Sequence, residues 1–288
     1  MGIFDFICIL IVPFTWGLNV VAMKASVTEF PALLSNLLRF VFAGLLLLPF
    51  LRKIKFQKHL LYAAFYYSTG ISLATLAVTG DASASLVILF FQLNVPMTAV
   101  LSCFLLDDRL NAKIILGIIV SLLGVAVIFL KPHIKYNYTS IFLVLLSACF
   151  WAMFNINLKQ VREPNKMSLL GWVLVISIPY LFLTCLFFGH FEYKIIAHAS
   201  TFAWTGILVS AIFSTIIGFG LWSYLVQKYP LSMIAPFNLL APIFGALFSY
   251  IIFGEQLNYM FWIGTAITLA GVITVVLGQD NAAAKNKS

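Results

Sequence analysis

Charge is what this sequence has least of. Only 9% of its 288 residues are Asp, Glu, Lys or Arg, against about 25% in soluble domains. So few charges cannot cover a water-exposed surface. The four cysteines (Cys8, Cys103, Cys149, Cys185) lie in apolar stretches without metal-ligand spacing, so neither a zinc site nor a disulfide framework is expected. No GxSxG, HExxH, Walker A or CxxC element occurs, and Asp107-Asp108 lacks the further carboxylates of a metal-diphosphate site. An enzyme is therefore not expected, nor a cofactor, metal or catalytic set. Long loops are missing too, which disfavours a non-transporting assembly factor. The first apolar run has no basic flank before it and reads as a retained helix, not a cleaved signal.

What is present is apolar. Hydrophobic residues make up 62% of the chain, aromatics 16% with 28 Phe, and mean hydropathy is +1.06. A spanning helix needs about 20 mostly apolar residues. Ten such runs are predicted, near 4–23, 31–51, 60–79, 82–105, 112–130, 138–158, 167–188, 199–222, 231–253 and 258–277. The polar tail, 279–288, is expected to be disordered. An even number of spans puts both ends on one side. Placing them in the cytoplasm leaves twelve basic residues inside (Arg52, Lys53, Lys55, Lys58, Arg109, Lys113, Lys159, Arg162, Lys166, Lys228, Lys285, Lys287). Four (Lys24, Lys131, Lys135, Lys194) fall outside and Arg39 lies within a span. That bias sets an N-in/C-in orientation. It also explains the net charge of +8 by the lipid bilayer, so no nucleic acid partner is expected.

The second half of the chain repeats the first. Residues 106–125 align with 253–272 at a constant offset of 147, pairing Leu110 with Leu257, Gly117 with Gly264, Ser121 with Thr268 and Gly124 with Gly271. Trp16 pairs with Trp151 and Lys24 with Lys159 at an offset of 135. Two units follow, 1–131 and 132–278. Five spans is an odd number, so the second unit must be inverted in the bilayer. The fold class is thus an all-α membrane protein of ten transmembrane helices in two inverted five-helix repeats. Inverted repeats recur in secondary transporters because near-equivalent halves can exchange outward-open and inward-open states. The small-residue faces of spans five and ten suit close helix packing, within a protomer or in a homodimer.

Polar groups inside the spans mark the candidate site. Arg39 is the one charge deep in a span, where an arginine costs about 2.5–3.5 kcal/mol on insertion scales. It either binds a substrate carboxylate through its guanidinium or clamps the structure. Trp16 and Asn19, Gln92 and Asn94, Trp151 and Asn155, Trp222, and Asn238 complete the set. Each single amide could serve only as an interhelical hydrogen bond. Together they suit a cavity for a small polar or zwitterionic metabolite. The nine acidic residues all fall at loops, span ends or the tail, so no carboxylate proton relay is expected. Pro96 and Pro242 interrupt spans four and nine at matching places, a pattern that points to a transporter's binding region.

These residues resemble the EamA-type branch of the drug/metabolite transporter superfamily. Thr15-Trp16-Gly17-Leu18-Asn19 with Lys24 is similar to that family's first span, and Leu38-Arg39-Phe40 to its second. The second copy carries Phe150-Trp151-Ala152, Asn155 and Lys159, and Phe253-Gly254-Glu255-Gln256-Leu257 resembles the signature closing each repeat. In the first copy Asp107-Asp108 replaces the usual Gly-Glu. Across Met167–Pro179 and Ile217–Gly278 the resemblance is to exporters of O-acetylserine and cysteine. It implies a multi-pass protein of the bacterial inner membrane exporting amino acids or related metabolites by alternating access. Another cargo class, such as a nucleoside or adenosyl compound, stays open.

Overall fold

The computed structural model describes residues 2–55, 57–79, 90–108, 110–128, 138–163, 165–189, 193–254 and 259–285. Among the described residues seven helices are long and apolar enough to cross a membrane: α1 (Ile3–Ser26), α2 (Ala32–Phe50, its last three residues 3-10), α3 (Lys58–Thr79), α6 (Tyr138–Gln160), α7 (Lys166–Phe188), α8 (Thr201–Lys228) and α9 (Leu231–Phe253). Three helices with shorter apolar stretches, α4 (Asn94–Leu105), α5 (Ala112–Ile128) and α10 (Tyr259–Lys285, apolar over Tyr259–Val275), occupy the places of expected spans four, five and ten. The first part of expected span four, and Lys131, Lys135 and Glu255, lie outside the described residues. A short helix, Tyr193–His198, precedes α8. Among the described residues there is no strand.

Two boundaries differ from expectation. α10 continues as helix to Lys285, so residues 279–285 are not the disordered tail that composition suggests. Ala, Gln and Lys are good helix formers, and a helix already nucleated by an apolar span extends at little cost. α8 runs to Lys228, past the expected end at 222, because Tyr224 and Lys228 in its last turns bind Asp5 of α1.

Side chains are sorted opposite to a soluble protein. Large apolar residues such as Phe104, Leu123, Phe187, Ile251, Trp262 and Ile273 face outward, while Ser35, Asn36, Arg39, Thr98, Asn155 and Ser214 are buried. An apolar exterior of this extent needs lipid to cover it.

Helix pairing follows a twofold pattern. α3 packs on α6 and α8 on α1; α4 packs on α6 and α9 on α1. Each pair is the image of the other when the halves are exchanged, and α2–α7 and α5–α10 are their own images. The α5–α10 seam shows the axis directly. Ser121 Oγ donates to Thr268 O at 3.2 Å, and Thr268 Oγ1 reaches back to Ser121 O at 3.5 Å. A Cβ on Gly271 would lie 2.7 Å from Gly117 O, and one on Gly124 2.7 Å from Gly264 O, so these backbones meet because no side chain intervenes. Rising numbers on one helix meet falling numbers on the other. α5 and α10 are therefore antiparallel, and the small-residue faces are used within the protomer.

Candidate functional site

Helices α4 and α9 are both broken near their proline. Gln92 and Leu93 form a turn before Asn94 and Pro96. In α9 a 3-10 stretch, Ala235–Leu240, carries Asn238 and ends just before Pro242. Such breaks place polar backbone and amide side chains inside the bundle. Gln92, Asn94 and Asn238 are all buried, and Asn94 Nδ2 donates to Phe91 O. Both amide atoms of Asn238 lack a protein partner.

Around them stands an aromatic cluster. The ring of Trp16 lies 5.8 Å from Trp151, 5.6 Å from Trp222 and 5.1 Å from Phe219. Tyr67 and Phe91 close on Trp151 from α3 and from the α4 break, at 5.9 and 5.5 Å. Trp222 Nε1 donates to Asn155 Oδ1 at 2.9 Å, and Asn155 Nδ2 donates to Thr98 Oγ1 at 3.2 Å. Asn155 and Trp222 therefore satisfy each other in this conformation. By contrast Trp16 Nε1 and Asn19 Oδ1, on the matching helix of the other half, are buried without a partner. An unpaired buried polar group costs about 1–3 kcal/mol, so such groups clustered beside helix breaks are candidates for binding a polar solute.

Arg39 is 3% exposed. Its Nε donates to Thr215 Oγ1 at 2.7 Å and its Nη2 to Ser214 Oγ at 3.0 Å. Both hydroxyls sit in a π-helical stretch of α8, Ser210–Gly218, a form found mostly at functional sites. Thr215 passes its own hydrogen to Ser210 O, five residues back. The Tyr67 hydroxyl lies beside the guanidinium without completing a hydrogen bond. Among the described residues no carboxylate pairs with Arg39; the ion pair present there joins Lys228 to Asp5.

The structure thus brings Trp16, Trp151, Asn155 and Trp222 into contact and links Arg39 to them through Tyr67 and α8. Asn19 is adjacent through Trp16 on α1. Gln92 and Asn94 approach through Phe91, and Asn238 stands in the opposing break. Sequence reasoning missed Tyr67, Phe219 and Thr215. Phe219 lies three residues before Trp222 on one helix face, the one signal that could have found it.

One end of the bundle is tied by charged groups. Asp5, 4% exposed, accepts from Tyr224 at 2.8 Å, Tyr229 at 2.6 Å and Lys228 at 2.9 Å. Burial and the Asp5 carboxylate push the Tyr229 phenol above its usual range. Lys159 Nζ donates to Val226 O at 2.9 Å and to Tyr229 O, capping the end of α8, while Asp108 accepts from Leu231 N at 2.8 Å at the start of α9. At the opposite end Glu29 accepts from the Ser200 hydroxyl and, at 2.8 Å, its N–H. The Ser200 hydroxyl, then its N–H, holds the Glu29 carboxyl below its ordinary 4.5.

An apolar bundle with polar breaks and unpartnered amides at its core defines a multi-pass membrane transporter. The EamA-like transporter family model matches the chain twice, over residues 4–130 and 138–277, and the chain belongs to that family. A Salmonella typhimurium protein named "Probable amino-acid metabolite efflux pump" is 30% identical over 284 residues, covering 93% of each chain. An Escherichia coli protein of the same name is 28% identical over 289 residues, covering 95% of each. A solved crystal structure shares the fold, with TM-score 0.82 at 14% identity over 96% of this chain and 98% of that one.

Proposed function

We propose that this protein is a secondary transporter of the bacterial inner membrane that exports amino acids or related small metabolites by alternating access. Ten spans in two inverted repeats, with both termini in the cytoplasm, carry the mechanism. The observation that carries the reading is the matched pair of helix breaks, at Gln92–Pro96 and Ala235–Pro242, together with the buried Trp16 Nε1, Asn19 Oδ1 and Asn238 amide atoms left without a protein partner. The names of the two enteric relatives favour amino-acid metabolites as cargo.

Arg39 binds the substrate carboxylate in this scheme. Among the described residues its guanidinium is met by neutral hydroxyls, so an incoming anion meets a full positive charge in a low-dielectric setting. Trp16, Trp151 and Trp222 wall the chamber, and Asn19, Gln92, Asn94, Asn155 and Asn238 offer neutral donors and acceptors to the ammonium and side chain. The ties among Asp5, Lys228, Lys159 and Asp108 close the cytoplasmic end in this state and release in the other. The experiment is uptake of labelled cysteine, O-acetylserine and other amino acids into proteoliposomes of the purified protein. Flux of at least one, abolished by detergent permeabilisation, is expected. No flux across a broad panel with folded protein would remove the proposal.

A further inference from the structure

Between the start of α3 and the end of α6 lies an open cleft of about 570 Å³, away from the aromatic cluster. Gln57, Lys58, His59, Lys159, Gln160 and Arg162 line it: three permanent cations, an imidazole and two amides, with no carboxylate among the described residues. Its walls are braced. Gln57 Oε1 accepts from Arg162 N at 2.8 Å and Gln57 Nε2 donates to Arg162 O at 3.2 Å, locking the two loops together. Asn157 Nδ2 donates to Met153 O at 2.8 Å, which turns Asn157 Oδ1 toward His59. His59 Nδ1 therefore donates to that oxygen at 3.0 Å, and the imidazole is fixed by one edge. Lys159 is held by the carbonyls of Val226 and Tyr229, so its charge stays in the wall. Neither Lys58 nor Arg162 meets a carboxylate among the described residues.

Positive orientation bias alone requires basic residues somewhere on this face, not a walled cleft. A further feature selects the ligand. One turn into α3 from Lys58, the outward face carries Leu61, Tyr62 and Phe65, all exposed large apolar residues. Cationic cleft and apolar stripe are continuous along one helix, the profile of an amphiphile with an anionic head and hydrocarbon tails.

We propose that this cleft binds the phosphate headgroup of an anionic phospholipid, with the acyl chains lying along Leu61, Tyr62 and Phe65. Lys58 and Arg162 hold the phosphate oxygens; Gln160 and the His59 ring add hydrogen bonds. The proposal rests on the reading of these helices as bilayer spans, and is independent of the cargo.

The test uses the full chain, delipidated in detergent and titrated with phosphatidylglycerol, phosphatidylcholine or inorganic phosphate, with bound lipid read by native mass spectrometry. Phosphatidylglycerol is expected to bind and phosphatidylcholine not. The Lys58→Gln/Arg162→Gln double variant should weaken phosphatidylglycerol binding about thirtyfold, and Arg52→Gln/Lys53→Gln, with equal charge loss outside the cleft, less than about threefold. Equal binding of the two lipids by the unmodified protein overturns the site, as does equal loss in both double variants, since surface charge then suffices. Inorganic phosphate binding as tightly as phosphatidylglycerol overturns the lipid assignment in favour of a free-anion pocket. If the glutamine double variant does not fold, Lys58→Arg/Arg162→Lys must retain binding, and its loss counts against the cleft. Lost lipid selectivity with intact amino-acid flux would remove this site and spare the transporter reading; the reverse result would do the opposite.

Discussion

The two halves of this chain are interchangeable at one place and unlike at another. Along the α5–α10 seam Ser121 and Thr268 make reciprocal contacts, and the approach of Gly124 to the Gly264 carbonyl is mirrored by that of Gly271 to the Gly117 carbonyl. At the Trp–Asn pairs of α1 and α6 the same residue types do different work. Asn155 is spent on Trp222 and Thr98, while Asn19 Oδ1 and Trp16 Nε1 are left open. The spacing differs as well, i,i+3 for Trp16 and Asn19 and i,i+4 for Trp151 and Asn155, so the two asparagines stand one position apart in the repeat. In the proposed reading the second pair is scaffold and the first is available to a ligand. Arg39 deepens the asymmetry, because the residue 135 positions on is Leu174.

The comparison can be broken most severely at the seam. Gly271→Leu would set a Cβ 2.5 Å from Ser121 N, and its effect should exceed about 4 kcal/mol. No monodisperse protein is expected in size-exclusion chromatography; a well-folded variant would mean that the seam is loose. Arg39 comes next. Arg39→Lys keeps the charge but loses the fork, and flux of zwitterionic amino acids should fall about ten- to a hundredfold while insertion persists. Retained flux would assign Arg39 to structure alone.

The two asparagines separate scaffold from site. Asn155→Ala strands Trp222 Nε1 in a fully buried position and should lower stability by about 1–3 kcal/mol, read as a fall in thermal midpoint. Asn19→Ala removes an acceptor with no protein partner, so stability should hold within about 0.5 kcal/mol while substrate affinity drops. Equal behaviour of the two variants would erase the proposed division of labour. The smallest effect is expected at Glu29. Its carboxyl titrates below 4.5 in the folded chain, so its contribution is present above that value and is lost as pH falls through the folded pKa. Thermal midpoints of the unmodified protein and Glu29→Gln should differ slightly at neutral pH and converge in acid.

Much of this was legible from hydropathy and self-similarity. The long apolar helices fall where 20-residue runs are, and the Trp16–Trp151 and Ser121–Thr268 correspondences are visible as constant offsets. Tyr67, Phe154 and Phe219 were not legible. In a chain with 28 Phe, a core aromatic and a lipid-facing one look alike until helices are packed. Of the two hydroxyls that receive Arg39, Ser214 is legible with Ser210 at i,i+4 on expected span eight, whereas Thr215 is not. Thr215 lies off that face in an α-helix and joins it because the backbone there is π-helical. The long end of α10 was misread because a polar helix and a polar coil share a composition.

The reciprocal contact of Ser121 with Thr268 has a mechanical consequence. A point on a dyad is its own image. When the halves trade shapes, every pair off that line becomes its counterpart, whereas this pair becomes itself. Under alternating access the seam is thus an axle that need not move. A covalent bridge placed there should leave turnover running, while one joining Asp5 to Lys228 should stop it.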